Sequence, residues 1–145
     1  MDNAMDTQVG GTHYDMVIQP MEFSIANDLD ACQHTIIKYV SRFKAKNGLE
    51  DLKKALHTID LYDELIDVSF LKDEWMPRIS AFKYCSENGM SQEQYDIVET
   101  VYNLQGIDLG DGLEEAENEL ICAFALMREY TKCLIKKEYP YADFK

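Results

Sequence analysis

The chain has 145 residues and carries 14 Lys and Arg against 27 Asp and Glu, a net charge of −13. That length suits one domain with a full hydrophobic core, and the acidic balance excludes a general nucleic-acid binder, because most of the surface would repel a duplex. Cys32, Cys85, Cys122 and Cys133 form no CxxC pair and no metal-like spacing with the three histidines, so they read as reduced, mostly buried thiols of a cytoplasmic protein. The polar start MDNAMDTQVGG does not read as a signal peptide, and the uncharged run LICAFALM at 120–127 is too short to cross a bilayer.

In chain order, residues 1–20 are irregular, punctuated by Gly10-Gly11 and Pro20. A short first helix is predicted from about Met21, and a second over 30–46. Asn47 with Glu50 three residues on suggests a capping box for a third helix, reaching about Val68. A fourth helix is expected over 73–86, interrupted near Pro77. Ser91 and Gln94 form a second capping box, opening a helix to about Gln105, and Asp111 is placed to cap a last helix to about Lys137. No segment sustains the strand period, so the expectation is all-α: a compact bundle of about five to six helices around a basic helix–turn–helix motif. Residues 21–69 would be its core, and 70–145 a helical extension packed in the same domain.

Six of the cations (Lys38, Arg42, Lys44, Lys46, Lys53, Lys54) fall within 36–56. On a 100° wheel, Cys32, Ile36, Tyr39, Val40 and Phe43 share one arc of the second helix, while His34, Lys38, Arg42 and Lys46 follow at i+4 steps along another. That second arc reads as a non-core face without intervening acids. Like charges at i+4 repel by a few tenths of a kcal/mol per pair, a cost that a solvated face does not repay and a bound phosphate does. On the third helix, Leu49, Leu52, Ala55, Leu56, Ile59, Tyr62 and Ile66 make a core stripe into which Asp63 projects. Leu61, Leu65 and Val68 form a surplus apolar strip that suggests a homo-oligomer contact. His57, Asp60, Glu64 and Asp67 line a neighbouring face, either a solvated acidic face or ligands for Mg²⁺, which accepts one or two carboxylates and keeps its waters. Gly10-Gly11-Thr12-His13-Tyr14 could lay backbone N–H groups on phosphate oxygens, and there is no P-loop.

The ordered set His13-Tyr14, Pro20, Glu22, Lys38-Tyr39, Arg42, Lys44, Lys46, Glu50-Asp51-Leu52 and Lys54-Ala55 resembles a family of small tailed-phage proteins of unknown function. One branch of that family is described as a nucleotide kinase lacking a Walker A motif. The resemblance spans about residues 10 to 67; the usual Gly-Asn is replaced here by His34-Thr35. It implies phosphoryl transfer to a deoxynucleoside monophosphate from a triphosphate with Mg²⁺, in the host cytoplasm if the chain is phage-encoded. Arg42 would then be a bidentate phosphate holder with Lys38 and His13 in the catalytic set. Tyr14, His34, Tyr39, Lys46 and Lys54 would contact substrate, and Asp51 with Glu50, Asp60 or Glu64 would hold the metal. Two rivals stand beside it. One is an all-α triphosphate pyrophosphohydrolase, for which Glu64…Asp67 is half the needed carboxylate motif. The other is a non-catalytic protein that binds a nucleotide or a host protein.

Overall fold

The computed structural model describes residues 4, 16–72, 74–110 and 112–143. The expectations placed on Gly10, Gly11, His13, Tyr14, Asp73 and Asp111 lie outside the described residues. Among those described there are six α-helices and no strand: α1 Pro20–Ala26, α2 Ala31–Arg42, α3 Leu49–Leu65, α4 Ala81–Glu87, α5 Gln92–Tyr102 and α6 Leu113–Glu138. No described helix is long and apolar enough to cross a membrane.

Local chemistry accounts for most helix ends. Pro20 opens α1, where a missing N–H costs nothing. Asp30 caps α2, accepting from the Gln33 N–H at 2.8 Å while the Gln33 side chain accepts from the Asp30 N–H at 3.0 Å. Ser91 and Gln94 cap α5 in the same reciprocal way, as the sequence suggests. The Asn47 cap does not form. The N-cap of α3 is Gly48, with φ +58 and ψ −124, a conformation that strains any L side chain. The chain can therefore reverse within three residues of the 3-10 turn Phe43–Ala45 that ends α2. The last helix begins at Gly112, which offers no side-chain cap.

Other boundaries depart from the sequence expectation. Helix α3 stops at Leu65, because Ile66 turns extended and the Asp67 carboxylate accepts from the Ser69 N–H at 2.7 Å, capping a separate turn. Glu64 and Asp67 therefore do not share one helix. Helix α4 begins at Ala81, capped by Ser80, and the preceding strap is non-helical because Asn27 holds it. The buried Asn27 side chain donates to the Ile79 carbonyl at 2.8 Å and accepts from the N–H groups of Arg78 and Ile79 at 2.8 and 2.9 Å. The Trp75 indole adds a bond to the Asn27 carbonyl at 2.7 Å. Helix propensity cannot compete with so many satisfied groups.

The core is continuous across both halves of the chain. Helix α2 packs on α3, α5 and α1, and α6 lies against α5 and α3. Phe23, Ile36, Ile37, Val40, Phe43, Leu52 and Ile59 are fully buried against Tyr84, Ile97, Val101, Phe124, Met127 and Leu134. Phe23 stacks on Tyr84 at 4.3 Å between ring centroids. At the chain's start, Asn88 brackets Ile18 with bonds of 3.1 and 2.7 Å.

Two further corrections concern surfaces. Asp63 does not enter the core: it is exposed and, with Asp60, grips Arg128 of α6. All four cysteines are free, and Cys122 and Cys133 are exposed on α6 while only Cys85 is buried. The surplus strip is exposed at Leu61 and Leu65, with Val68 half-buried.

Candidate functional site

Antiparallel packing of α2 and α3 follows from two contacts at opposite ends. The Tyr62 hydroxyl donates to the Asp30 carboxylate where α2 begins and α3 ends. At the other end, Arg42 closes α2 and Asp51 stands in the first turn of α3. Arg42 Nε lies 3.3 Å from Asp51 Oδ2 and Nη2 lies 3.5 Å from Oδ1. The Asn47 backbone and side-chain N–H groups also donate to this carboxylate, each at 3.4 Å. Asp51 is fully buried and Arg42 nearly so. The wheel position of Arg42 on a non-core face is thus overturned: its guanidinium turns in against the buried Asp51 carboxylate of α3.

Around this buried pair the cations gather. Lys38 Nζ, the Arg42 guanidinium and Lys54 Nζ lie 4.7, 5.0 and 5.8 Å from the centre of the Tyr39 ring, a cation–π arrangement with three donors on one face-bearing residue. Burial first, and then the adjacent Arg42 charge, hold the Lys38 ammonium below its ordinary range; Lys54 and Lys46 push in the same direction and Asp51 opposes them. Lys44 leaves the group to pair with Glu138 at 3.5 Å, and Lys54 meets Glu50 at 3.3 Å, both exposed pairs of small energetic value. Lys38, Lys46 and Lys53 have no ion-pair partner among the described residues.

Lys38 also borders a cavity of about 310 Å³ with Gln19, Pro20, Met21 and His34. His34 Nδ1 is 2.8 Å from Ser24 Oγ. Burial, then the Lys38 charge, lower the His34 pKa, so the imidazole is biased toward neutrality beside a cation. A larger groove of about 590 Å³ runs between α5 and α6, but Glu99, Glu115 and Glu119 rim it. Those carboxylates repel anions, so the smaller cavity beside Lys38 is the candidate.

The proposed carboxylate set does not converge. Asp51 faces inward on Arg42, Asp60 accepts from Arg128 Nε at 2.7 Å, Glu50 reaches Lys54, and Glu64 is exposed near the far end of α3, between three and four turns from Asp51. No three His, Cys, Asp or Glu among the described residues are grouped to hold a metal ion. Sequence reasoning missed Ser24 as the partner of His34 and Arg128 as the clamp on α3. Neither had a periodic signal, since both act across more than one element. The Asp30…Gln33 spacing did carry a capping-box signal.

Comparison with known proteins adds one assignment. Residues 10–60 match the family model described as a protein of unknown function, DUF3310. No curated protein and no solved structure matches the chain. The DUF3310 match contains every member of the Tyr39 cation group together with Asp51 and the His34 cavity, and it stops before Tyr62, Asp63 and all of α4 to α6.

Two outcomes follow. Arg42→Ala should destabilise the fold by about 3–5 kcal/mol, because it strands a buried carboxylate, whereas Lys54→Ala should change stability by less than about 0.5 kcal/mol; urea denaturation that finds the two alike would contradict the buried pairing. His34, lowered in the fold from an unfolded value of about 6.5, binds fewer protons folded than unfolded. Its contribution is therefore present above about pH 6.5 and is lost as the pH falls below that value toward the lower folded pKa. His34→Gln should flatten the stability profile in that window, and an unchanged slope would count against the assignment.

Proposed function

We propose that the chain binds the phosphate groups of a nucleotide at the Tyr39 cation group. The observation that carries this reading is the gathering of Lys38, Arg42 and Lys54 around one ring, with Lys46 close enough to act on Lys38 and the Lys38 ammonium held below its ordinary range by burial and by its like-charged neighbours. Arg42 has a structural partner in Asp51, but a protein of net charge −13 gains nothing structural from placing Lys38, Lys46 and Lys54 beside it. A phosphate placed there relieves the mutual repulsion and draws charge-assisted hydrogen bonds from Lys38 and Lys54. The cavity beside His34 and Lys38 would receive the sugar or base.

Together with the resemblance to the phage nucleotide kinase branch, this supports phosphoryl transfer between a triphosphate and a deoxynucleoside monophosphate. Roles then shift from those the sequence suggests. Lys38, Lys54 and Lys46 would neutralise transferred charge. Arg42 acts as a positioning residue, since Asp51 already occupies its fork. Mg²⁺ would arrive with the triphosphate, held by its phosphates and by exposed Glu50 in the first turn of α3. One observation favours a second reading, nucleotide binding without turnover: Asp51 and Asp60 are both committed to arginines.

Incubation with a labelled triphosphate plus deoxynucleoside monophosphates, with Mg²⁺, separates these readings. Diphosphate product supports the kinase, retained unchanged ligand supports the binder, and pyrophosphate release would replace both with a hydrolase. Calorimetry should show Lys38→Ala and Lys54→Ala each weakening nucleotide binding by about 1.5–3 kcal/mol while the thermal midpoint stays put. Undiminished binding by both variants contradicts the site.

A further inference from the structure

Helix α6 carries more apolar surface than its core contacts use. Ala116, Leu120, Phe124 and Met127 are buried. Ala123, Leu126 and Tyr130, at steps of three and four, stand half-buried or exposed along the α5–α6 groove of about 590 Å³. We propose that this groove docks a cationic amphipathic α-helix of another protein, at a site independent of the nucleotide reading.

The shape of the groove sets the length of its occupant. Lys137 meets Glu93 at 2.6 Å, joining the end of α6 to the start of α5, and the short connection 103–112 returns the chain from the end of α5 to the start of α6. The two helices therefore run antiparallel. Glu99 of α5 lies toward the Tyr130 end of the groove, and Glu115 and Glu119 line the end nearer Ile107. Between them the floor is apolar, built from Leu104, Ala123 and Leu126. From Glu115 to Tyr130 the helix rises about 22 Å, the length of about four helical turns. A partner helix of that length, with apolar residues at i, i+3 and i+4 positions, covers the floor and leaves its flanks beside the carboxylates.

Charge selects the class of partner. Residues 107–127 contain six acids and no Lys or Arg. Glu99, Glu115 and Glu119 have no ion-pair partner among the described residues, whereas Asp60 and Asp63 are held by Arg128 and Glu93 by Lys137. Lys or Arg beside the partner's apolar stripe meets those three carboxylates, while an acidic helix or a polynucleotide is repelled. A second copy, itself at net charge −13, is disfavoured for the same reason. A bare metal ion does not fit either: the carboxylates stand at opposite ends of the groove, and no three His, Cys, Asp or Glu among the described residues are grouped to hold one.

Two synthetic peptides of about 16 residues test this. One places Leu along one helical face and Lys along the other; its scramble keeps the composition without the period. Fluorescence anisotropy with the full chain, at about 0.15 M salt, should show the amphipathic peptide binding about ten-fold tighter than the scramble. Amide shifts should fall on Thr100, Ala123 and Leu126. Glu115→Lys with Glu119→Lys should weaken binding about ten-fold. The same change in net charge at exposed Glu74 and Glu87, made as Glu74→Lys with Glu87→Lys, should weaken it less than about two-fold. Leu126→Asp should weaken binding although it adds negative charge, because it removes part of the apolar floor. Equal affinity for peptide and scramble, equal weakening by the two charge-reversed pairs, or undiminished binding by Leu126→Asp reduces the attraction to net charge and overturns the proposal. So does an absence of binding, including the case in which light scattering returns a multiple of 16.8 kDa and a second copy covers the groove.

Discussion

The buried ion pair between Arg42 and Asp51 is the constraint on which the basic end of the molecule depends. It joins the last residue of α2 to the first turn of α3 across a turn of only six residues, 43–48. With the two Asn47 donors it satisfies a carboxylate that has no access to water. Burying a charge pair is not in itself stabilising, because desolvation consumes most of the attraction. Its value here is geometric: once Arg42 is fixed, Tyr39 lies beneath its guanidinium, and Lys38 and Lys54 are brought to the same ring from two helices. Gly48 permits the reversal, and its φ of +58 is the backbone counterpart of that side-chain constraint.

Charge is distributed unevenly over the rest of the molecule, and the packing shows how that is sustained. Helix α6 opens with Glu114, Glu115, Glu117 and Glu119, placing negative charge near its N-terminal dipole where it is tolerated. Its one arginine, Arg128, reaches across to Asp60 and Asp63 and so fastens α6 to α3. Cations therefore collect at the Arg42 end of the helix pair while carboxylates dominate the α5–α6 groove. An anionic ligand approaching this surface is repelled almost everywhere except at one place, which sharpens selectivity for that place.

The sequence carried the helical architecture well, because periodicity reports which face of each helix is apolar. Ile36, Val40, Leu52, Ile59, Phe124 and Leu134 are all buried as their spacing implies. The cap at Ser91 and Gln94 was legible because both partners lie within four residues, but the same local pattern at Asn47 and Glu50 misplaced the start of α3, where Gly48 takes the cap position. Contacts between distant segments were not. Asn27 straightening the strap at 74–80, Arg128 drawing Asp63 outward, and Asp51 of the next helix turning Arg42 inward all involve partners that one helix's own periodicity does not contain. The cation gathering was legible as composition, but the division of labour within it was not. A wheel cannot distinguish a solvent-facing arginine from one buried against a carboxylate of the next helix.

Where a nucleotide sits on this chain decides whether the Tyr39 cation group is its site. Amide and side-chain chemical shifts of the labelled full chain, recorded while a deoxynucleoside triphosphate is added, read that location directly. With the nucleotide at the cation group, the largest shifts fall on His34, Lys38, Tyr39, Lys46 and Lys54, and α5 and α6 stay almost silent. Shifts centred on the α5–α6 groove, or none at millimolar ligand, would contradict it.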